Sequence, residues 1–344
     1  MDRFKTGIIG AATPQGAELV RLISEHPMCD LTAVSSSSLD GKTLAEALPR
    51  FRGRSDMTFV SENEVIENAD VVFNADNMLD AQDVAAACIN QKSVLIDLSP
   101  EFRYNDADLY AIWHGGEYRY PALHNAAVYC VPELLRERLA GKVLVSCPGA
   151  IAAGALLALV PALLEDLIQP DGIVISACVP SVAVNGGRGT TDAYSLTSYT
   201  AGEPVETGEI ESILSAAADA RVSATVMPSV VPTARGMMVC CRAATRVAGS
   251  DSALRAAYEK QYGSEHFIRL LPSGESPSTA EVENTNFCDI SITRVERTGS
   301  VVITAAYDYY LKGSAGQAVQ NMNALLNMPE YFGLDFAPGS SGGN

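Results

Sequence analysis

Positive charge is scarce in this chain. Lys and Arg number 24 against 41 Asp and Glu, and the formal net charge is −17. Such a surface repels phosphate backbones and anionic bilayers, so neither nucleic acid nor a membrane is an expected partner. A small anionic substrate needs a local cluster of Arg or Lys against that background. No apolar run reaches the roughly eighteen residues that a membrane-crossing helix needs. The eight cysteines, at 29, 88, 130, 147, 178, 240, 241 and 288, include no CxxC pair, so no metal site is expected. Histidine is limited to positions 26, 114, 124 and 266. No internal repeat is visible, and low complexity is confined to the final Gly-Ser-Ser-Gly-Gly-Asn, which reads as a loose tail.

The composition is otherwise that of a globular protein, 47% hydrophobic and 19% charged over 344 residues, enough for two domains with their own cores. Most cysteines sit in apolar runs, such as Cys88 and Cys178, and read as buried free thiols in a reducing compartment. The opening residues run straight into a strand and a glycine turn. No leader peptide is therefore expected, and the expected location is the cytoplasm.

Strand-like runs at 4–10, LTAVSSSS, ADVVFNAD and SVLIDLS alternate with helical patterns, AELVRLISEH and DAQDVAAACIN among them, up to about residue 148. Alternation of this kind predicts a parallel sheet covered by helices. A helix is predicted over 151–165, and after it come strand-like stretches joined by turns, which suit a mixed or antiparallel sheet. The fold class expected is α/β: a Rossmann-type dinucleotide-binding domain over 1–148 and an α+β substrate and dimerisation domain over 149–312. A closing helix over 313–330 and a tail over 331–344 follow.

The first turn reads Gly7-Ile8-Ile9-Gly10-Ala11-Ala12-Thr13-Pro14-Gln15-Gly16. It lacks the usual G-x-G-x-x-G, yet it lies between the first strand and a helix. Glycine there lets backbone approach a pyrophosphate, whose charge meets a helix N-terminus. Gly7, Gly10, Thr13, Pro14, Gln15 and Gly16 are thus candidate cofactor contacts; a plain strand-to-helix turn is the alternative. No acid follows the second strand to hold a ribose 2′-hydroxyl. Ser35 to Ser38 stand there instead, with Lys42 beyond, and Ser36 and Ser38 suit a 2′-phosphate, so NADP is the expected cofactor. A solvated serine loop is the plainer alternative.

Ordered motifs then point to a family. Asp97-Leu98-Ser99-Pro100-Glu101-Phe102-Arg103, Tyr129-Cys130-Val131-Pro132-Glu133-Leu134, Val231-Pro232-Thr233-Ala234-Arg235-Gly236, Asn286-Phe287-Cys288-Asp289 and the run Lys312 to Asn323 resemble those of N-acetyl-γ-glutamyl-phosphate reductases, members of the semialdehyde dehydrogenase superfamily. The resemblance spans nearly the whole chain. It implies a homodimer or homotetramer and a closing helix that packs back on the first domain. Further implied cofactor contacts are Gln317 and Asn321, and implied substrate contacts are Arg103, Ser181, Arg188 and Arg235. The implied reaction, a step of arginine biosynthesis, reduces an acyl phosphate to an aldehyde with NADPH through a cysteine thioester, with a histidine moving protons.

Both reactive positions depart from the family. Its nucleophile lies in Asn-Pro-Gly-Cys, and here Ser146-Cys147-Pro148-Gly149-Ala150 puts an alanine at the reactive place. The resemblance implies that Ala150 opens the helix and faces the cleft between the domains. Cys147, three residues earlier, is either a relocated nucleophile or a buried small thiol, and the packed thiol is the commoner fate of a free cysteine. The family's histidine position holds Glu206, which is either a base or a surface acid before a helix. Ser229 and Tyr309 stand where the family has His and Asn. Neighbours of both reactive positions differ as well, which is the pattern of natural divergence. Three functions stay open: the family's reaction, a diverged nicotinamide-dependent enzyme using Glu206 or Tyr309 as proton carrier, and a noncatalytic binding or partner subunit.

Overall fold

The computed structural model describes residues 3–77, 79–104, 106–181, 196–198, 204–246 and 250–335. The chain divides into two units, one of Met1–Pro148 with Ser314–Asp335 and one built from Gly149–Gly313. In chain order the principal helices are α1 (Pro14–Ser24), α2 (Glu62–Glu67), α3 (Ala81–Gln91), α4 (Ala150–Leu164), α5 (Glu206–Ala218), α6 (Asp251–Tyr262) and α7 (Gly316–Leu325).

The first unit holds β1 (Phe4–Ile9), β2 (Cys29–Ser35), β3 (Phe59–Val60), β4 (Val71–Asn74), β5 (Val94–Asp97), β6 (Val128–Tyr129) and β7 (Leu144–Ser146). They form one parallel sheet in the order β3-β2-β1-β4-β5-β7-β6. Helices cover it, so its strands are continuous apolar runs, with Ile8, Ile9, Val72, Phe73 and Ile96 fully buried. Helix starts are written in the sequence. Thr13 caps α1 with Pro14 in its first turn, Ser61 caps α2, and Asp80 caps α3. Strand order reverses between β1 and β4, which is where open sheets of this kind hold ligands.

Gly7 is not part of the turn. It lies inside β1, buried, and a Cβ there would stand 2.5 Å from Val65 Cγ1. Its job is to let α2 approach the strand, so its expected cofactor contact is corrected to a packing role.

The C-terminal boundary also moves. Helix α7 belongs to the first unit, and the chain after it stays packed: Asn323 Nδ2 donates to the carbonyls of Glu330 and Phe332, and Leu334 is buried. Gly333, at φ +68°, lies against the His26 ring, where a Cβ would come within 2.4 Å. Residues 331–335 are therefore part of a domain rather than of a loose tail.

The second unit holds β8 (Ile173–Pro180), β9 (Thr197–Ser198), β10 (Ala224–Val231), β11 (Gly236–Ala244), β12 (Ile268–Leu270), β13 (Cys288–Val295) and β14 (Ser300–Asp308). The sheet is mixed, in the order β12-β13-β14-β11-β8-β10-β9, with β8 parallel to β10 and antiparallel to β11. Helix α4 is apolar all round, and Ile151 to Leu163 are all buried, as expected for a helix inside a core. Pro161 sits within it and cannot donate to the carbonyl of Leu157; the Tyr262 hydroxyl of α6 donates to that carbonyl instead, at 2.8 Å.

Candidate functional site

At the switch point of the first unit the chain leaves β1 through Gly10, whose φ of +76° favours glycine. A Cβ on Gly10 would lie 2.7 Å from the Asp76 nitrogen, and one on Gly16 would lie 2.1 Å from the Gly10 carbonyl oxygen. The turns after β1 and β4 thus touch, and only glycine lets α1 start so close to them. Thr13 locks the turn: its Oγ1 accepts from the Gly16 amide at 3.0 Å and donates to the Gly10 carbonyl at 2.8 Å. Thr13, Pro14 and Gln15 are half-buried. The result is a helix N-terminus opened by a half-buried glycine turn, a shape that accepts a pyrophosphate.

Beyond β2, Ser36 is half-buried and Ser38 exposed, while the Ser35 hydroxyl is buried without a hydrogen-bond partner. Two of the arginines nearby in sequence serve α1: Arg50 reaches Glu18 at 3.9 Å and Arg54 reaches Glu25 at 4.0 Å.

Gln317, at the start of α7, is 1% exposed, and both atoms of its amide lack a partner. Four residues on, Asn321 donates to the Cys130 carbonyl at 3.1 Å and to Cys147 Sγ at 3.6 Å, with its own Oδ1 unpartnered. Buried amides do not stay unpaired without cost. A glycine cradle that a Cβ would fill and the unpaired Gln317 amide both fit a polar cofactor with a pyrophosphate and a carboxamide.

Beneath this edge lies a carboxylate that the sequence reading placed in a motif and gave no role. Asp97 is fully buried, accepts from Ser99 Oγ at 2.6 Å and from Asn74 Nδ2 at 2.8 Å, and burial pushes its carboxyl up to about 6. Arg103 Nε donates to the Cys147 carbonyl and Nη2 to that of Leu98, both at 3.1 Å. These bonds make it a brace between the loops after β5 and β7.

Cys147 is 2% exposed, and burial pushes its thiol up to about 12. The relocated nucleophile is therefore corrected to a packed thiol.

In the second unit Gly149 caps α4 and Ala150 is its first residue, half-buried. The Gly149 amide donates to Glu209 Oε1 at 2.8 Å, and Glu209 is itself 1% exposed. The Tyr307 hydroxyl donates to the Ala150 carbonyl at 2.7 Å, and Gly154 makes room for that ring, since a Cβ there would stand 2.4 Å from the hydroxyl. The methyl of Ala150 offers no nucleophile. Glu206, half-buried, opens α5, and its charge acts on Tyr307, whose hydroxyl is held well above its usual range chiefly by burial. Glu209 bonds Gly149 from 60 residues away and Tyr307 bonds Ala150 from 157, and no local pattern announces either.

Arg235 is engaged within the unit. Its Nε and Nη2 donate to the two oxygens of Asp308 at 2.7 and 3.1 Å, and its guanidinium lies over Tyr310. Asp308 is fully buried and also accepts from the amides of Asn284, Tyr310 and Leu311. Arg235 therefore reads as a structural ion pair. Ser181 is half-buried just past β8, Ser229 lies in β10 and Tyr309 is half-buried after β14. Arg188 lies outside the described residues.

A parallel sheet with a glycine turn at its switch point, followed by a mixed-sheet domain with a buried helix at its start, is the architecture of the two-domain dinucleotide-binding class. Residues 5–142 match the semialdehyde dehydrogenase NAD binding domain and residues 151–309 the semialdehyde dehydrogenase dimerisation domain. The chain belongs to the semialdehyde dehydrogenase family, among the N-acetyl-γ-glutamyl-phosphate reductases. It is 36% identical to the N-acetyl-γ-glutamyl-phosphate reductase of Desulforamulus reducens, covering 97% of this chain and 99% of that one. The enzyme of the same name from Clostridium botulinum is 34% identical, at 96% and 98% coverage. Aspartate semialdehyde dehydrogenase II from Vibrio cholerae shares the fold, with a TM-score of 0.72, 15% identity and 95% and 99% coverage. The Candida albicans aspartate semialdehyde dehydrogenase solved with NADP superposes with a TM-score of 0.67, at 15% identity and the same coverage.

Proposed function

We propose that this chain is a nicotinamide-dependent oxidoreductase that has left the thioester route of its relatives and acts on a small acid or carbonyl substrate by direct hydride transfer. The observation that carries this reading is the pairing of Ala150 at the first position of α4 with a Cys147 thiol buried three residues earlier. Neither residue presents a thiolate at the start of α4 to displace phosphate from an acyl phosphate. The cradle of Gly10 and Gly16 and the unpaired Gln317 amide support retention of the cofactor, which a purely structural homologue would have no reason to keep.

A bound nicotinamide dinucleotide would supply hydride to a carbonyl carbon. Gly10, Thr13, Pro14, Gln15 and Gly16 would hold its pyrophosphate, Gln317 and Asn321 its carboxamide, and Ser36 and Ser38 a 2′-phosphate, which makes NADP the preferred form. Glu206 would give a proton to the carbonyl oxygen in reduction and take it back in oxidation, with Tyr309 the second candidate. Arg188 and Ser181 would bind the anionic end of the substrate, with Arg103 and Arg235 acting from behind as braces. The protein would work in the cytoplasm as a homodimer or homotetramer.

The test is a fluorescence titration with NADPH alongside an assay of NADP- and phosphate-dependent oxidation of N-acetylglutamate semialdehyde. Binding without oxidation is the expected result. Robust oxidation abolished by Cys147→Ser would return the chain to the reaction of its relatives. Absence of dinucleotide binding would leave the noncatalytic homologue.

A further inference from the structure

Within the first unit, residues 106–126 fold over the loop that follows β5, and the contact is made of groups that hold or exchange protons. The buried Glu101 carboxylate lies at its centre. The Tyr110 hydroxyl donates to its Oε1 at 2.8 Å and His124 Nε2 to the same oxygen at 3.2 Å, while His114 Nε2 stands 3.4 Å from Oε2. Aromatic rings close the set: Tyr110 stacks on His114 with centroids 4.4 Å apart, and Tyr118 stacks on His124 at 3.4 Å. Tyr118 in turn donates to the carbonyls of Tyr104 and Asp106. Burial opposes the charge on Glu101, but the bonds from His124 and Tyr110 and the two imidazoles outweigh it and hold its carboxyl below the usual range. Asp80 and Asp106 act on the cluster through Tyr110 and Tyr118, whose hydroxyls burial, Glu101 and these acids hold above their usual range. The nearest guanidinium, that of Arg119, is taken by Asp80 and Asp83 of α3 at 2.8 and 2.9 Å.

Two imidazoles thus share one carboxylate, and the number of protons they carry sets the charge of the cluster. One charged imidazole cancels Glu101. A second leaves a net positive charge, and it makes both Nδ1 atoms, which are buried without a hydrogen-bond partner, into donors with no acceptor. The two histidines differ in their way out. His124 is fully buried beneath Tyr118, whereas the His114 side chain is 23% exposed. His114 lies on the π-helical turn Ala111–Gly115, in which no residue is buried and which ends in two glycines of positive φ. A segment with so little burial opens at low cost.

We propose that Glu101, His114 and His124 form an acid-operated clasp: the arm of residues 107–115 lies on the β5 loop while at most one imidazole is charged, and it lifts away when the second takes up a proton. The open arm binds a proton that the closed arm resists, so falling pH favours opening, by up to about tenfold per pH unit. The clasp reaches the site through Glu101, two residues from Arg103, whose amide donates to Ser99 Oγ and so joins the Asp97 network. Opening therefore loosens the loop that carries the Arg103 brace.

Trp113, the only tryptophan of the chain, stands beside His114 and reports on the arm. Acrylamide quenching of its fluorescence, followed on the full chain from about pH 8 to 5, where histidines change charge, should rise about twofold or more. Hydrogen exchange read by mass spectrometry, corrected for its intrinsic pH dependence, should show protection falling over 98–103 and 107–115 and holding over α6. His114→Gln removes the titrating ring at the rim and should leave quenching flat with pH. Glu101→Gln removes the charge that holds both rings and should leave Trp113 as accessible at about pH 8 as it is in the wild type at about pH 5. His114→Gln carries the test by itself should Glu101→Gln misfold. Wild-type quenching that stays constant over this range would overturn the clasp. A His114→Gln protein that keeps the wild-type rise would overturn it as well, and so would protection lost equally over α6.

Discussion

Cys147 and Ala150 are three residues apart, and the cysteine is the buried one of the two. Its sulfur is buried beside Asn321, while the position at the start of α4, where a helix dipole favours a thiolate, carries a methyl group. Nucleophile and proton carrier act as one unit, and losing such a nucleophile costs about 10⁴ to 10⁶ in rate. The double variant Ala150→Cys with Glu206→His should therefore gain a trace of phosphate-dependent semialdehyde oxidation, and each single change should gain almost none. A coupled NADPH-formation assay on the three variants checks this; equal activity in a single variant would show that the two positions do not cooperate. Asp97 makes a different prediction, about pH. Its folded carboxyl is raised to about 6 from 3.8, so the stability it contributes is complete below about pH 4 and is lost as pH rises through 6. The span corresponds to about 3 kcal/mol. Asp97→Asn should flatten that part of the profile, measured by urea unfolding at pH 4.5 and 7. A slope between those values identical to that of the wild type would show that Asp97 does not titrate there.

Helix starts are where sequence and structure meet most directly. Thr13-Pro14, Ser61 and Asp80 start their helices because the first-turn amides need acceptors and these side chains supply them. The predicted helix over 151–165 is found at Ala150–Leu164 for the same kind of reason, a proline-glycine entry followed by a long apolar run. Pairings across long separations were not legible. Nothing near Gly7 says that its missing side chain faces Val65, and nothing near Arg235 says that Asp308, 73 residues away, will take its guanidinium. The bond from Tyr262 to Leu157, 105 residues apart, belongs to this group and can be tested. Tyr262→Phe leaves the carbonyl opposite Pro161 buried and unpaired, which costs about 1–3 kcal/mol. Thermal unfolding should show the loss, while NADPH affinity should not change, because Tyr262 belongs to the second unit and the glycine turn to the first. A Tyr262→Phe protein as stable as the wild type would mean that the carbonyl finds another donor.

The molecule as a whole combines a dinucleotide-binding fold with an alanine at the first position of α4. The fold class was legible because alternation of strand and helix survives any change of a single residue. The chemistry was only half legible: the alanine at 150 can be read from the motif, but the buried state of Cys147 needs the packing around it. Cofactor choice is the property that decides whether the retained fold is still in use. Directly after β2 stand Ser36 and Ser38, which offer hydroxyls, with the exposed Asp40 and Lys42 beyond them. NADPH should therefore bind more tightly than NADH. Because a ligand stabilises what it binds by RT ln(1 + [L]/Kd), NADPH at about 100 times its Kd should add about 2.7 kcal/mol to the unfolding free energy, and NADH at the same concentration should add less. Gly16→Ala supplies the control, since a Cβ set 2.1 Å from the Gly10 carbonyl distorts the turn and should abolish the NADPH effect. Equal stabilisation by the two dinucleotides would remove the 2′-phosphate reading of the serines, and stabilisation by neither would mean that the cradle has outlived its ligand.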